Sequence, residues 1–133
     1  GPPGRRLRAP TAPLGTKPAE RYRAPVAEIF HLAAPEDWAA ATRDGAVTDS
    51  TRDVKLAEEG FIHCSFAEQL ARTAQRFFGD LDEVVVLRID TDRLTSPLVT
   101  EDLYGTGEAF PHVYGPINLD AVIDVRVVSP HAL

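Results

Sequence analysis

Methionine is absent from the 133 residues, cysteine and tryptophan occur once each, and only two of the fourteen basic residues are lysines. The lone Cys64 cannot close an internal disulfide, which suits a reducing compartment. No apolar run approaches the ~20 residues that a membrane-spanning helix needs. The first residues lack the apolar stretch of a secretory signal. A cytoplasmic protein with no membrane partner is the expectation. The Gly-Pro start reads as a processed end or a protease scar. Chemical signatures are missing as well. There is no C-x-x-C and no H-x-x-x-H, hence no local chelating spacing. There is no G-x-S-x-G, no P-loop and no G-x-G-x-x-G, so hydrolase-elbow and Rossmann readings are unsupported.

What is present is unevenly charged. Residues 1–27 hold six Lys and Arg against one acid, a net charge of +5, while residues 28–133 hold eight against nineteen, a net charge of −11. Six of the eleven prolines and three of the nine glycines fall in residues 1–25. Such a segment buries too little apolar surface to offset its chain entropy, so residues 1–27 read as a disordered or extended basic tail. Residues 28–133 are enough for one domain with one core. Nucleic acid is not an expected partner, because affinity for a phosphate backbone comes from Lys and Arg and this body is acidic.

The periodicity of the body points to an α+β fold with five or six strands and two helices. Glu28–Ala33 alternates as a strand. Pro35, Glu36 and Asp37 open a helix that buries Trp38 and Ala41 and stops at Gly45. Residues 46–58 read as a polar connection with a short strand at 46–48. Residues 60–65 (G-F-I-H-C-S) form a strand with Phe61, His63 and Ser65 on one face and Ile62 and Cys64 on the other. Ser65 and Glu68 have capping-box spacing at the start of a second helix, whose stripe is Leu70, Ala74, Phe77 and Phe78. Residues 83–90 make an apolar run typical of a central strand. Residues 94–101 form a strand that Pro97 confines to an edge. A short strand at 109–114 and a closing strand at 119–128 complete the chain.

Three histidines, His31, His63 and His112, sit inside strand segments. Imidazole serves as a general base, a hydrogen-bond partner or a metal ligand near neutral pH. Three imidazoles with water form a known zinc pattern, but the spacings here favour no chelate, and no metal is expected. Cys64 shares a face with Ile62 and reads as a core residue. The helix start after Ser65 offers free N–H groups to a phosphate, with His63 close by. Residues 107–116 (G-E-A-F-P-H-V-Y-G-P) pack an acid, two aromatics, a histidine, two glycines and two prolines together. They read either as a pocket wall for a planar ligand, with Glu108, Phe110, His112 and Tyr114, or as a proline-rich turn packed on the core.

I-F-H-L at 29–32, Trp38, L-A-E-E-G-F-I-H-C-S at 56–65, Gln69, V-V-V-L-R-I-D at 84–90 and F-P-H-V-Y-G-P-I at 110–117, followed by L-D-A-V, together resemble the bacterial family known as domain of unknown function 952. The resemblance spans residues 28–126 and leaves out the tail. It implies an ADP-ribosyltransferase-like fold: a split mixed or antiparallel β-sheet with a cleft that takes NAD or an ADP-ribosyl group. It implies a transferase or hydrolase of ADP-ribosyl or glycosyl groups, with NAD as substrate and no resident cofactor. His31 matches the first-strand position of such enzymes, Ser65 with His63 the second, and Glu108 the third. His31, His63, His112 and Glu108 are then the expected catalytic groups, and Ser65, Gln69, Phe110 and Tyr114 the substrate-binding ones. Few arginines stand near these motifs, so RNA is not an expected substrate. Two other readings stay open: a small-molecule tailoring enzyme that reuses the cleft without NAD, and a non-catalytic ligand-binding module.

Overall fold

A computed structural model describes residues 4–7 and 28–133. Its strands and helices run β1 (Arg5–Leu7), β2 (Glu28–Ala33), α1 (Pro35–Asp44), β3 (Ala46–Val47), β4 (Asp49–Thr51), β5 (Val54–Lys55), α2 (Leu56–Glu59), β6 (Ile62–His63), α3 (Leu70–Phe78), β7 (Val84–Asp90), β8 (Leu98–Glu101), β9 (Phe110–Val113), β10 (Ile117–Asn118) and β11 (Val122–Val128). The main sheet has the order β1-β11-β7-β2, and a second, three-stranded sheet has the order β6-β9-β8. Two-stranded pairs β10-β3 and β4-β5 complete the α+β fold. Every strand pair among the described residues is antiparallel, which corrects the mixed alternative.

The apolar run of β7 takes the central place between β11 and β2, and Val84–Leu87 are all buried. A strand covered on both faces has no use for alternation, which is why its sequence is continuously apolar. On one face Ile29, Leu87, Ile89 and Val125 pack with Trp38 and Ala41 of α1 and with Ile62 and Val113 of the small sheet. On the other face Leu32, Val84 and Val86 pack with Leu70, Ala74 and Phe78 of α3. α3 thus follows the expected stripe with one exception. Phe77 is 39% exposed and Thr73 is buried in its place, because the core-facing side of the helix is rotated toward Thr73.

α1 ends as expected at Gly45, whose φ of 93° lets its N–H reach the Ala41 carbonyl at 2.8 Å. That left-handed cap favours glycine because no Cβ meets the backbone there. The closing strand starts later than expected, since residues 119–121 form a short 3-10 turn first. β8 starts only after Pro97, as an edge strand. The strand expected over 60–65 shortens to β6; the short strand expected at 46–48 is β3, paired with β10, and the rest of the connection carries the β4-β5 pair and the start of the single turn α2.

Arg5–Leu7, inside the segment read as a disordered or extended tail, is extended and pairs with Val125–Val127 of β11. The remainder of that reading, residues 1–3 and 8–27, lies outside the described residues. No helix among the described residues is long and apolar enough to cross a membrane.

A backbone bridge joins the two larger sheets. Phe30 of β2 and Ser65 exchange backbone hydrogen bonds, each 2.8 Å. α3 and the loop 102–109 border a space beside the small sheet.

Candidate functional site

The register of the small sheet assembles the site. β6 and β9 pair His63 directly with His112, and β9 and β8 pair Phe110 with Glu101. Side chains two apart on a strand share a face, so His112 and Glu101 become diagonal neighbours. The Nδ1 of His112 lies 2.9 Å from Glu101 Oε1, and its Nε2 lies 3.4 Å from His63 Nδ1. Tyr114 donates its hydroxyl to the same Glu101 oxygen. These two hydrogen bonds, Tyr114 first and His112 second, hold the Glu101 carboxyl below its usual range.

A carboxylate only accepts, so the partners assign the tautomers. A neutral His112 gives its Nδ1–H to Glu101 and keeps a lone pair on Nε2. His63 gives its Nδ1–H to that lone pair, which leaves a lone pair on His63 Nε2. This atom is buried and has no hydrogen-bond partner among the described residues. Burial, His112, His31 and Arg76, in that order, push the His63 pKa down to about 4. At neutral pH His63 is therefore uncharged, with an unprotonated nitrogen at the end of a carboxylate–imidazole–imidazole relay.

The backbone of His63 is pinned on both sides. Its N–H donates to Ser50 Oγ at 3.2 Å, and its carbonyl accepts from His31 Nδ1 at 2.9 Å. His31 is 1% exposed, and burial lowers its pKa. Phe61 stacks on the His112 ring at 4.0 Å and 20°.

His63 also lines a void of about 10 Å³ and two larger cavities. The larger, about 490 Å³, has His63 and Phe110 on one wall, Arg72, Arg76 and Phe77 of α3 on the other, and Tyr104 and Glu108 of the loop 102–109 at its rim. Its volume lies in the range of small-molecule sites. The smaller, about 220 Å³, shares His63, Phe77 and Tyr104 and adds Ser50, Thr51 and Glu59. The Tyr104 hydroxyl donates to Glu59 Oε1 at 3.2 Å. No group of three or more His, Cys, Asp or Glu among the described residues is arranged to hold a metal ion.

Residues 32–125 match the family described as a protein of unknown function, DUF952. The chain belongs to this family. Its fold is similar to that of protein CC0527 from Caulobacter crescentus, in a crystal structure at 31% identity and a TM-score of 0.62, covering 75% of this chain and 85% of that one. A crystal structure of a double mutant of CC0527 gives the same values. The solution structure of CC0527 matches at 33% identity and a TM-score of 0.57, over 71% of this chain and 78% of that one. No curated protein matches this chain.

Within this DUF952 chain the three strand histidines do come together, although only His63 lines the larger cavity. His31 and His112 stand behind it as supports. Phe110 tilts toward the His63 ring at 5.1 Å and lines the cavity with Glu108. Tyr114 does not line either cavity, and its hydroxyl is committed to Glu101. Ser65 caps no helix. The bridge to Phe30 takes both its backbone groups, so the chain turns one residue later, and its buried hydroxyl faces Thr73 Oγ1 at 3.4 Å. Gln69 does the capping: its Oε1 accepts from Phe66 N–H at 2.9 Å. That bond also occupies one of the N–H groups expected to receive a phosphate. The Gln69 amide nitrogen donates to the Ala109 carbonyl at 2.8 Å and to Glu108 at 3.2 Å, so this residue braces the loop. Cys64 is buried in the core, and burial pushes its thiol pKa up.

Residue patterns missed Glu101, Arg72, Arg76, Phe77 and Tyr104. The paucity of arginines near the motifs is a property of the sequence alone, because α3 swings Arg72 and Arg76 to the cavity. Their i, i+4 spacing was the available signal. Glu101 had only its position at the end of a strand that pairs with the His112 strand.

Proposed function

We propose that this DUF952 chain is an enzyme that acts on NAD, an ADP-ribosyl compound or a related nucleotide. One observation carries the reading: the Glu101–His112–His63 relay ends on an unpartnered imidazole nitrogen beside an aromatic-walled cavity. A ligand's flat ring fits between Phe77 and Phe110. His63 acts as the general base. It takes the proton of a hydroxyl or water as that oxygen bonds to the anomeric carbon and the group on that carbon departs. The new His63 cation is stabilised through His112 by the carboxylate of Glu101, as a buried acid stabilises an imidazolium in other relays. A base whose pKa is near 4 is weak in the empty site. An anionic substrate nearby raises it toward the range in which a base works best.

Calorimetry with NAD and with ADP-ribose tests the reading. Binding to the wild-type protein, with turnover abolished in His63→Ala, is the expected result. Failure of a correctly folded chain to bind either compound refutes it.

A further inference from the structure

Arg72 and Arg76 stand one turn apart on α3, and both line the larger cavity. Among the described residues Arg72 is paired with the Glu108 carboxylate, through Glu108 Oε2. That same oxygen accepts from Gln69 Nε2 at 3.2 Å. Gln69 is itself fixed by Phe66 N–H and by the Ala109 carbonyl, so it holds its amide toward Glu108 whatever else happens in the cavity. Arg76 has no carboxylate partner among the described residues, and its guanidinium carbon lies 5.1 Å from the centroid of the Phe77 ring. Two arginine side chains therefore line the cavity against one carboxylate.

That carboxylate comes from the loop 102–109, whose Gly105 and Gly107 have φ of 64° and 86°. The loop is tied at its base, where Asp102 accepts from the N–H of Thr106 at 3.0 Å and of Gly107 at 2.7 Å. Glu108 lies just past this tied turn, with its side chain 37% exposed, so its carboxylate has water to retreat into. A carboxylate and a phosphate oxygen compete for the same planar guanidinium donors.

We infer that Glu108 is an internal stand-in for a ligand anion, and that a phosphate or pyrophosphate group binds between Arg72 and Arg76 by displacing it. The inference deepens the nucleotide reading by giving the phosphates their place, but the anion site stands on its own geometry. Arg72 exchanges one anion for another, Arg76 gains its first, and Gln69 keeps its bond to Ala109. The arrangement also filters ligands. A neutral sugar or a free planar ring cannot compete with Glu108, so a phosphate-free ligand leaves the pair closed.

Inorganic pyrophosphate is the probe, titrated by calorimetry at low salt into the wild-type chain and into Glu108→Gln, Arg72→Gln and Arg76→Gln, each checked for folding by its melting curve. Removing the competitor tightens pyrophosphate binding in Glu108→Gln by about 5-fold, the upper range for breaking an exposed ion pair. Losing either guanidinium weakens it by about 10-fold or more, as expected for a charge-assisted hydrogen bond. Unchanged or weaker binding in Glu108→Gln overturns the displacement. Absence of pyrophosphate binding to both the wild type and Glu108→Gln overturns the site. NAD and ADP-ribose are run in parallel. The pyrophosphate pattern without nucleotide binding keeps this inference and sinks the nucleotide reading. Nucleotide binding that ignores Arg72→Gln and Glu108→Gln does the reverse.

Discussion

Lowering the pH from 7 to 5 removes about 2 kcal/mol of folding stability through His63 alone. The cause is its pKa, about 4 in the folded chain against an ordinary 6.5. Between those values the unfolded chain binds a proton that the folded chain refuses, so stability falls as pH falls. It is fully present above 6.5 and fully lost below 4. The whole window of about 2.5 units corresponds to about 3 kcal/mol, most of it spent before pH 5. His31 has a lowered pKa for the same reason, burial, and adds loss of the same sign. The carboxyls with lowered pKa, Asp80, Glu101 and Asp102, lose their contribution only below their ordinary values near 4, outside this window. Asp37, with a raised pKa, acts weakly in the opposite direction. Urea unfolding of the wild type and of His63→Gln at pH 7, 6 and 5 isolates the effect, since both retain His31 and every acid. The wild type should lose about 2 kcal/mol more than the variant over that range. Parallel stability curves would refute the reasoning, because His63 would then not be held neutral by its surroundings.

Glu101→Gln should lower turnover by about 10- to 100-fold, the scale found when the group orienting a functional imidazole is lost. Ligand affinity should change little, since Glu101 lines neither cavity; equal losses in affinity and turnover would make Glu101 a binding residue instead. Phe78 is 2% exposed beneath the main sheet, and Phe78→Ala should cost about 3–5 kcal/mol in urea unfolding. A cost below about 1 kcal/mol would mean that α3 closes the gap freely and does not hold the cavity wall rigidly.

Legibility in the sequence followed the range of the forces involved. The strands at 28–33 and 84–90 could be read because a sheet imposes its own period and burial on the residues within it. Gly45 could be read as a stop because a left-handed cap is a local demand. β4 and β5 could not, since pairs of two or three residues form only where the tertiary fold brings them together, whereas the short strand read at 46–48 stands as β3. The same division runs through the site. His31, His63 and His112 stood out as unusual residues in strands. Glu101 joined them through a register set eleven residues away, with no local mark of its own. Ser65 carried a correct local signal, the S-x-x-E spacing, that a longer-range contact overrode when Phe30 took its backbone. Tyr114 shares the alternation of Phe110 and His112, yet it lies just past β9, where its hydroxyl turns to Glu101 and away from the cavity.

The net charge of −11 over residues 28–133 argued against nucleic acid, and the fold limits what that number can mean for a smaller ligand. Charges separated by more than a Debye length, about 8–10 Å in ordinary buffers, are largely screened from one another when exposed. A ligand entering the larger cavity responds to the charges that line it, which are Arg72, Arg76 and Glu108. If Glu108 withdraws, the local field is positive however acidic the rest of the body is. A polymer is different. Binding a nucleic-acid strand requires many phosphate contacts spread over a surface, each releasing counterions. Two arginines at one cavity cannot supply them. On the phosphate site proposed above, the cavity would take a small phosphorylated ligand and not a long one. The acidity of the body would then act as a filter on ligand size, which the charge total alone does not reveal.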